Sequence, residues 1–402
     1  MSSRVRRLTA TFGALVAVCA TAMSAFPGSA AASPWDGVPN GVTSVTLTRN
    51  HADMKRIAGY WSPERLKQAQ DNTPAIPGVK PSESAPTPPP ASPTPGGAGQ
   101  ATTAAAAGEQ TATTSTAPTV TTGGERTTTT VTTTAGSSPV IEPTSPKKKA
   151  QAAGPAPITV GKVFFRIGDK DYWCSASAVA SAGRNLVATA AHCAYDAKTG
   201  RSAEYWIFIP GYDRGATPYG IYVGHSLNLH ESFVGKGDYD YDYAFVTVHD
   251  GFRWKAGKTA GSHEMEPTGS LEDNVGGQGL VFRHGPGRYT FAFGYPAAPH
   301  LDGSKPFNGQ ELKSCDGQTR KQAAPARLVE YGVALKCGFT AGASGGPWLI
   351  AYDIKRGLGY LNGVNSFAWD TDVDKRYDLI SSPYFTLSTY VVYRYAGSQR
   401  VD

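Results

Sequence analysis

The stretch from residue 75 to about 157 sets the limits on what this chain can fold into. Runs such as Pro86-Thr87-Pro88-Pro89-Pro90 and Thr127-Thr128-Thr129-Thr130 dominate it. Such runs bury too little apolar surface to offset the entropy of ordering them. The tract reads as a Thr/Pro/Ala-rich disordered linker, and as an O-glycosylation candidate in an exported chain. Lys147-Lys148-Lys149 near its end reads as a solvated charge run. Any core must come from the flanks, and only residues 158–402 are numerous enough to supply a sizeable one.

The N-terminal flank divides into two. In residues 1–32, Arg4, Arg6 and Arg7 precede the apolar stretch Leu8 to Phe26, and Ala30-Ala31-Ala32 offers a small-residue cleavage site. This is the pattern of a secretory signal peptide. It implies a secreted, extracellular protein with no membrane attachment once the signal is removed. Residues 33–74 are too few to hold a core alone. Ser62-Pro63-Glu64-Arg65 starts a helix there, with Ser62 as cap and Pro63 in the first position. Their place between a signal and a linker fits a short N-terminal extension or a propeptide.

From about Ile158 the texture changes. Short β-branched and aromatic runs alternate with Gly, Pro and Asp turns: Val163-Phe164-Phe165, Tyr205 to Ile209, Tyr243 to Val246, Leu280-Val281-Phe282, Tyr289 to Phe293, and Leu328 to Tyr331. This spacing predicts an all-β barrel or sandwich. One helix is expected near the C-terminus: Ser382 as cap, Pro383 first, Tyr384 to Tyr395 as body and Gly397 as stop. The net charge of +6 sits largely before this region. The folded part is therefore near neutral, which excludes a basic nucleic-acid footprint.

Of the 5 cysteines, Cys19 would leave with the signal. Cys174, Cys193, Cys315 and Cys337 remain, an even set that allows three disulfide pairings. Joining neighbours, Cys174 to Cys193 and Cys315 to Cys337, closes two short loops and is the expected arrangement. No Cys-x-x-Cys or His-x-x-x-His spacing supports a metal site. Neither a metal nor a cofactor is expected.

The chemistry gathers around Gly342-Ala343-Ser344-Gly345-Gly346-Pro347. Glycines on either side of a serine allow a sharp turn and a close approach of backbone N–H groups to a carbonyl. A serine hydroxyl needs a base to act as a nucleophile, and the base needs an orienting acid. His192, in Thr189-Ala190-Ala191-His192-Cys193, stands at a strand end beside a cysteine. Asp242 opens the apolar run Tyr243 to Val246; Asp238 and Asp240 compete with it from a more polar stretch.

These three motifs, in the order His, Asp, Ser, resemble those of the chymotrypsin-like serine peptidases, particularly secreted bacterial members. The likeness covers residues 158–402. It implies an all-β fold of two six-stranded antiparallel β-barrels with a C-terminal α-helix, the linker preceding it. It implies Ser344 as nucleophile, His192 as general base and Asp242 as its orienting acid. The oxyanion hole would be the N–H groups of Gly342 and Ser344. Ser366, in Gly363-Val364-Asn365-Ser366-Phe367-Ala368, matches the family serine that hydrogen-bonds the aspartate. The substrate pocket would be lined by Gly338, Phe339, Thr340, Ser366, Phe367 and Ala368.

Two departures bear on this. Ala343 stands where many family members carry an aspartate that pairs with an inserted N-terminus. Gly338 stands where a trypsin carries its lysine- and arginine-binding aspartate. A neutral or apolar P1 residue is therefore expected. Asp370-Thr371-Asp372-Val373-Asp374 begins like a calcium loop, but Lys375 replaces the glycine and Ser381 the late glutamate of that pattern. The sequence favours a solvated acidic loop. The leading reading is a monomeric, secreted serine endopeptidase acting on protein or peptide substrates. The alternative is a catalytically silent binding module on a Thr-rich stalk.

Overall fold

The apolar runs after Ile158 pair as the alternation predicts. Val160–Ile167 and Lys170–Val179 form a hairpin, registered from Val160 opposite Ser177 to Ile167 opposite Lys170. The computed structural model describes residues 37–69, 78–79, 131–132, 138–147, 156–259 and 261–401. The expected signal segment and most of the linker lie outside the described residues.

Six strands close into a first barrel. Going round it, Tyr222–His230 pairs with Glu204–Pro210, then Val160–Ile167, Lys170–Val179, Leu186–Thr189 and Ala244–Val248, which returns to Tyr222–His230. Its interior holds Val163, Ala176, Val187, Leu227 and Val246, all essentially inaccessible. Closure leaves no free edge around the ring.

The second barrel is assembled from two sheets. One runs Lys313–Gln318, Tyr289–Gly294, Pro347–Asp353, Leu358–Val364 and Gly279–Leu280; the other joins Arg320–Lys321, Val333–Lys336, Leu379–Ser382 and Phe367–Trp369. The pairing of Gly279–Leu280 with Tyr360 and Leu361 is parallel. The Cys315–Cys337 disulfide ties one sheet to the other, and Cys174–Cys193 joins two segments of the first barrel. Both bridges are those expected from the sequence.

Residues 37–69 are not a free-standing piece. Val42–Thr46 adds to Tyr222–His230 on the outside of the first barrel, from Val42 opposite His230 to Thr46 opposite Ser226. The helix His51–Tyr60 follows, capped by Asn50 Oδ1 on the Asp53 amide at 2.9 Å, and it buries Met54, Ile57 and Ala58. Trp61 is fully buried, its indole N–H donating to the Tyr205 carbonyl. The next helix, Pro63–Ala69, starts where Ser62 predicts, with Ser62 Oγ accepting from the Arg65 amide at 3.3 Å.

The end of the expected linker is also fastened. Ile141 pairs with Leu280 and is 2% exposed. Thr144 exchanges two backbone hydrogen bonds of 2.9 Å with Gly277. Lys147 pairs with Asp273 at 3.4 Å rather than standing in solvent alone.

Two expected elements differ. Leu328 to Tyr331 is no strand: a short turn, Pro325–Arg327, ends at Leu328 with φ +61, and Asp240 takes the amides of Glu330 and Tyr331 at 2.8 and 3.2 Å. The turn takes the Leu328 amide and the carboxylate takes those of Glu330 and Tyr331, which removes the donors a ladder needs. The C-terminal helix is Leu387–Ser398, not 383–395. Thr386 caps it in a reciprocal box with Thr389, whereas Ser382 Oγ accepts from the Val364 amide inside a sheet. Gly397 lies within the last turn. The helix packs on the first barrel, with Tyr393 Oη donating to Ala180 O at 2.6 Å.

Candidate active site

His192 sits in the short turn Ala191–Cys193 that leaves the strand Leu186–Thr189. The Cys174–Cys193 bridge fixes its neighbour. Asp242 follows the turn Tyr239–Tyr241 and has no accessible surface. Its Oδ1 accepts from the His192 amide at 2.9 Å, and its Oδ2 lies 2.8 Å from His192 Nδ1. Ser366 Oγ donates to the same Oδ2 at 2.5 Å. The buried carboxylate is thus contacted from three sides, by the His192 amide, His192 Nδ1 and Ser366 Oγ, which fixes the orientation of the imidazole. Asp238 and Asp240 are engaged elsewhere: Asp238 Oδ1 accepts from the Asp240 amide at 3.1 Å, and Asp240 holds the 330–331 amides.

Ser344 is 3% exposed, on a turn that only its glycines permit. Gly342 has φ +102 and Gly345 φ +79. A Cβ at Gly345 would meet Thr189 Oγ1 at 2.1 Å, and one at Gly342 would meet the Trp173 ring at 2.4 Å. The turn is thereby pressed against the strand that leads to His192. The Ser175 amide donates to Ser344 O at 2.8 Å, and Thr189 Oγ1 donates to Ser175 O at 2.9 Å. Among the described residues no hydrogen bond joins Ser344 Oγ to the His192 ring. Catalytic contacts of this kind are often long before substrate binds.

The turn's amides divide into two sets. Ala343, Gly345 and Gly346 donate to the carbonyls of Thr340, Asn365 and Ala343 at 3.3, 2.7 and 3.0 Å. The amides of Gly342 and Ser344 have no acceptor among the described residues.

Asn365 was not singled out as a site residue by its sequence, yet it clamps the turn. Its amide donates to Gly346 O at 2.9 Å, and its carbonyl accepts from Gly345. Its Nδ2 donates to Ala343 O and Phe293 O, both at 2.8 Å, while Oδ1 accepts from Trp348 Nε1 at 2.7 Å. A polar residue in an otherwise apolar strand end was the available signal. Ser175 was missed too: its Oγ donates to Gly342 O at 2.8 Å and accepts from the Tyr295 amide at 2.9 Å.

The expected pocket residues separate. Phe367 is buried with its ring 4.8 Å from that of Tyr239, whose own centroid is 6.3 Å from His192. Burial, and then the Asp242 charge, push the Tyr239 hydroxyl's pKa up, so it stays neutral. Gly338 backs onto Tyr377: a Cβ there would be 3.3 Å from its carbonyl oxygen. Ser366 and Ala368 lie in the strand region that pairs with Leu379–Ser382. Thr340 is fully buried, and its hydroxyl has no partner among the described residues. Phe339 packs with Leu335, Trp348 and Ile380 in the core of the second barrel.

Comparison with solved structures places the arrangement. The thermostable serine protease AL20 from an extremophilic microorganism is 30% identical, with a TM-score of 0.50, over 61% of this chain and 99% of that one. Protease Anisep from Arthrobacter nicotinovorans is 29% identical, with a TM-score of 0.49, over 64% of this chain and 100% of that one. No family model and no curated protein matches the sequence. The chain belongs to the chymotrypsin-like serine proteases. The two disulfides fit an oxidising, extracellular setting. Among the described residues no helix is long and apolar enough to cross a membrane.

Proposed function

We propose that the chain is a secreted serine endopeptidase whose nucleophile is Ser344. His192 takes the Ser344 proton as the hydroxyl attacks a peptide carbonyl, then delivers it to the leaving amine. Asp242 holds His192 and stabilises its imidazolium; Ser366 holds Asp242. The free amides of Gly342 and Ser344 receive the oxyanion, and water then hydrolyses the acyl-enzyme. The observation that carries this reading is the buried Asp242 carboxylate, which grips His192 through both its amide and Nδ1.

Gly338, Ser366 and Ala368 offer no charge to a substrate side chain. A buried Lys or Arg would lose hydration without a counter-ion, whereas an apolar group gains about 25 cal/mol per Å² buried. Neutral or apolar P1 residues follow. Ala343 cannot pair with an inserted N-terminus, and Asn365 already holds the Ala343 carbonyl from within the second barrel. The oxyanion amides are then positioned without N-terminal insertion. Packing of residues 37–69 on the first barrel supports a lasting extension over a removable propeptide, since removal would expose the apolar barrel surface, Phe164 included, that Trp61, Met54 and Ile57 cover.

Labelling with a fluorophosphonate, followed by peptide mass mapping, tests the reading. The label should fall on Ser344 and vanish in Ser344→Ala, with hydrolysis down by several orders of magnitude. A folded wild-type protein that takes no label and cleaves no peptide would instead be a silent binding module.

A further inference from the structure

The loop between the strands Phe367–Trp369 and Leu379–Ser382 carries three carboxylates that converge. Asp370, Asp372 and Asp374 each offer an oxygen, and these oxygens lie within 4.8 Å of one another. Asp370 is the decisive member. It is 7% exposed, and its buried Oδ1 has no hydrogen-bond partner among the described residues. A buried carboxyl group that lies beside two others and keeps an unsatisfied oxygen is costly unless a cation supplies the missing partner.

No protein cation does so among the described residues. Arg376 reaches Asp302 at 3.9 Å, and no lysine or arginine pairs with the three aspartates.

We propose that Asp370, Asp372 and Asp374 bind a calcium ion. The donors are all oxygens, which selects a hard cation. They are spaced i, i+2, i+4 on a surface loop, and three carboxylates with room for carbonyls and water suit calcium's variable coordination better than magnesium's strict octahedron. The sequence argued against a calcium loop because Lys375 replaces glycine. Lys375 nevertheless adopts φ +60, the left-handed conformation that glycine would supply. The absent late glutamate leaves coordination sites for water and backbone carbonyls.

The ion would brace a wall of the proposed substrate pocket. Asp370 directly follows Trp369. The Asp378 amide donates to Trp369 O at 3.0 Å, the Cys337 amide donates to Asp378 O at 2.9 Å, and the Tyr377 amide donates to His300 Nδ1 at 3.0 Å. This frame holds Gly338 against Tyr377. The effect on substrate rests on the endopeptidase reading; the binding of the ion does not.

The test uses the full exported chain, stripped with a chelator and titrated with calcium chloride by calorimetry, with terbium luminescence as a second readout. One saturable site is expected, with Kd in the ~0.1–1 mM range of extracellular calcium modules, and calcium should raise the Tm. Magnesium at the same concentration should do neither. Asp374→Asn, at an exposed position, should weaken binding at least tenfold and abolish the Tm response; Asp370→Asn should do the same if it folds. No saturable binding up to about 10 mM calcium, or unchanged binding in Asp374→Asn, overturns the site. Because Ser344 labelling is measured separately, calcium binding without labelling would sink the enzymatic reading and keep the site. Labelling without calcium binding would do the reverse.

Discussion

Residues 37–69 and the turn 342–347 are both short stretches held by a barrel, one on each half of the molecule, but they are held by opposite means. The first is fastened by apolar burial. Met54, Ile57, Trp61 and Leu66 go into the core, and polar ties such as Arg65 Nε to Asp171 Oδ2 at 3.0 Å sit at the rim. The second has no large side chain of its own between Gly342 and Gly346. It is held by the hydrogen bonds of Ser175 and Asn365 and by backbone pressed against Thr189 and Trp173. Burial is strong and non-directional; hydrogen bonds contribute less net energy but fix atoms in place. The first barrel's addition should thus govern stability, and the second barrel's clamp should govern rate.

The largest effect expected from that contrast is at Trp61. Trp61→Ala leaves a cavity beside Phe164 and strands the Tyr205 carbonyl. It should cost about 3–5 kcal/mol of stability, with kcat of the folded enzyme unchanged. Urea denaturation alongside peptide hydrolysis at 25 °C reads both quantities. A variant that melts like the wild type would show that the segment is merely laid on the barrel.

Asn365 should show the reverse split. Asn365→Asp keeps the acceptor for Trp348 but replaces the Nδ2 donor to Ala343 O and Phe293 O. Loosening the Gly342 and Ser344 amides, the proposed oxyanion donors, should lower kcat about 10–100-fold with little change in KM, roughly 1.4–2.7 kcal/mol of transition-state binding. An equal loss in Asn365→Asp of KM alone, or no kinetic change, would mean that the clamp only stabilises the fold.

The difference also explains what was legible in the sequence. Apolar runs revealed Val160–Ile167, Glu204–Pro210 and Ala244–Val248 in the first barrel and Gly279–Leu280 and Tyr289–Gly294 in the second, and glycine-flanked Ser344, strand-end His192 and Asp242 were visible as motifs. The contacts that fasten them were not. Asn365 and Ser175 look like ordinary strand polar residues until the chain brings Gly346 and Gly342 beside them. Residues 37–69 looked too small for a core because their core is the first barrel's outer surface. The helix start at Ser382 misled because Ser-Pro fits a cap, while Thr386 and Thr389 form the reciprocal pair further on.

A smaller effect should come from acid. His249 is buried against the N-terminal segment, its Nε2 2.7 Å from Thr48 Oγ1 and its ring 5.3 Å from that of His225. Burial first, then the charges of His225 and His51, lower its pKa to about 4. The unfolded chain, with histidine near 6.5, binds the proton more readily. Stability from this group is therefore fully present above about pH 6.5 and is lost as pH falls toward about 4. After solvent screening the loss should be about 1 kcal/mol. Tm measured across that window should fall, and His249→Gln should flatten the fall. An unchanged slope in the variant would assign the acid sensitivity elsewhere.

The smallest effect expected is at Lys162, where the two kinds of fastening meet. Its ammonium is buried on the outer face of the first barrel, 3.4 Å from the Trp173 ring centroid and 4.7 Å from that of Tyr212, and it donates to Gly309 O at 3.0 Å. The far edge of Trp173 is the surface against which Gly342 packs. Desolvation holds the Lys162 pKa well below its ordinary value, so the charge gains little from its surroundings. One carbonyl and aromatic faces offset only part of the cost of taking an ammonium from water. Lys162→Met keeps the volume and the contact with Trp173 while removing that cost. Stability should stay within about 1 kcal/mol of the wild type, or rise, and kcat should change less than about threefold because Trp173 still supports Gly342. A tenfold fall in kcat at unchanged Tm would break the contrast: a charge held in the first barrel would then act on the oxyanion amides through Trp173, and the serine turn would owe its function to both halves of the molecule.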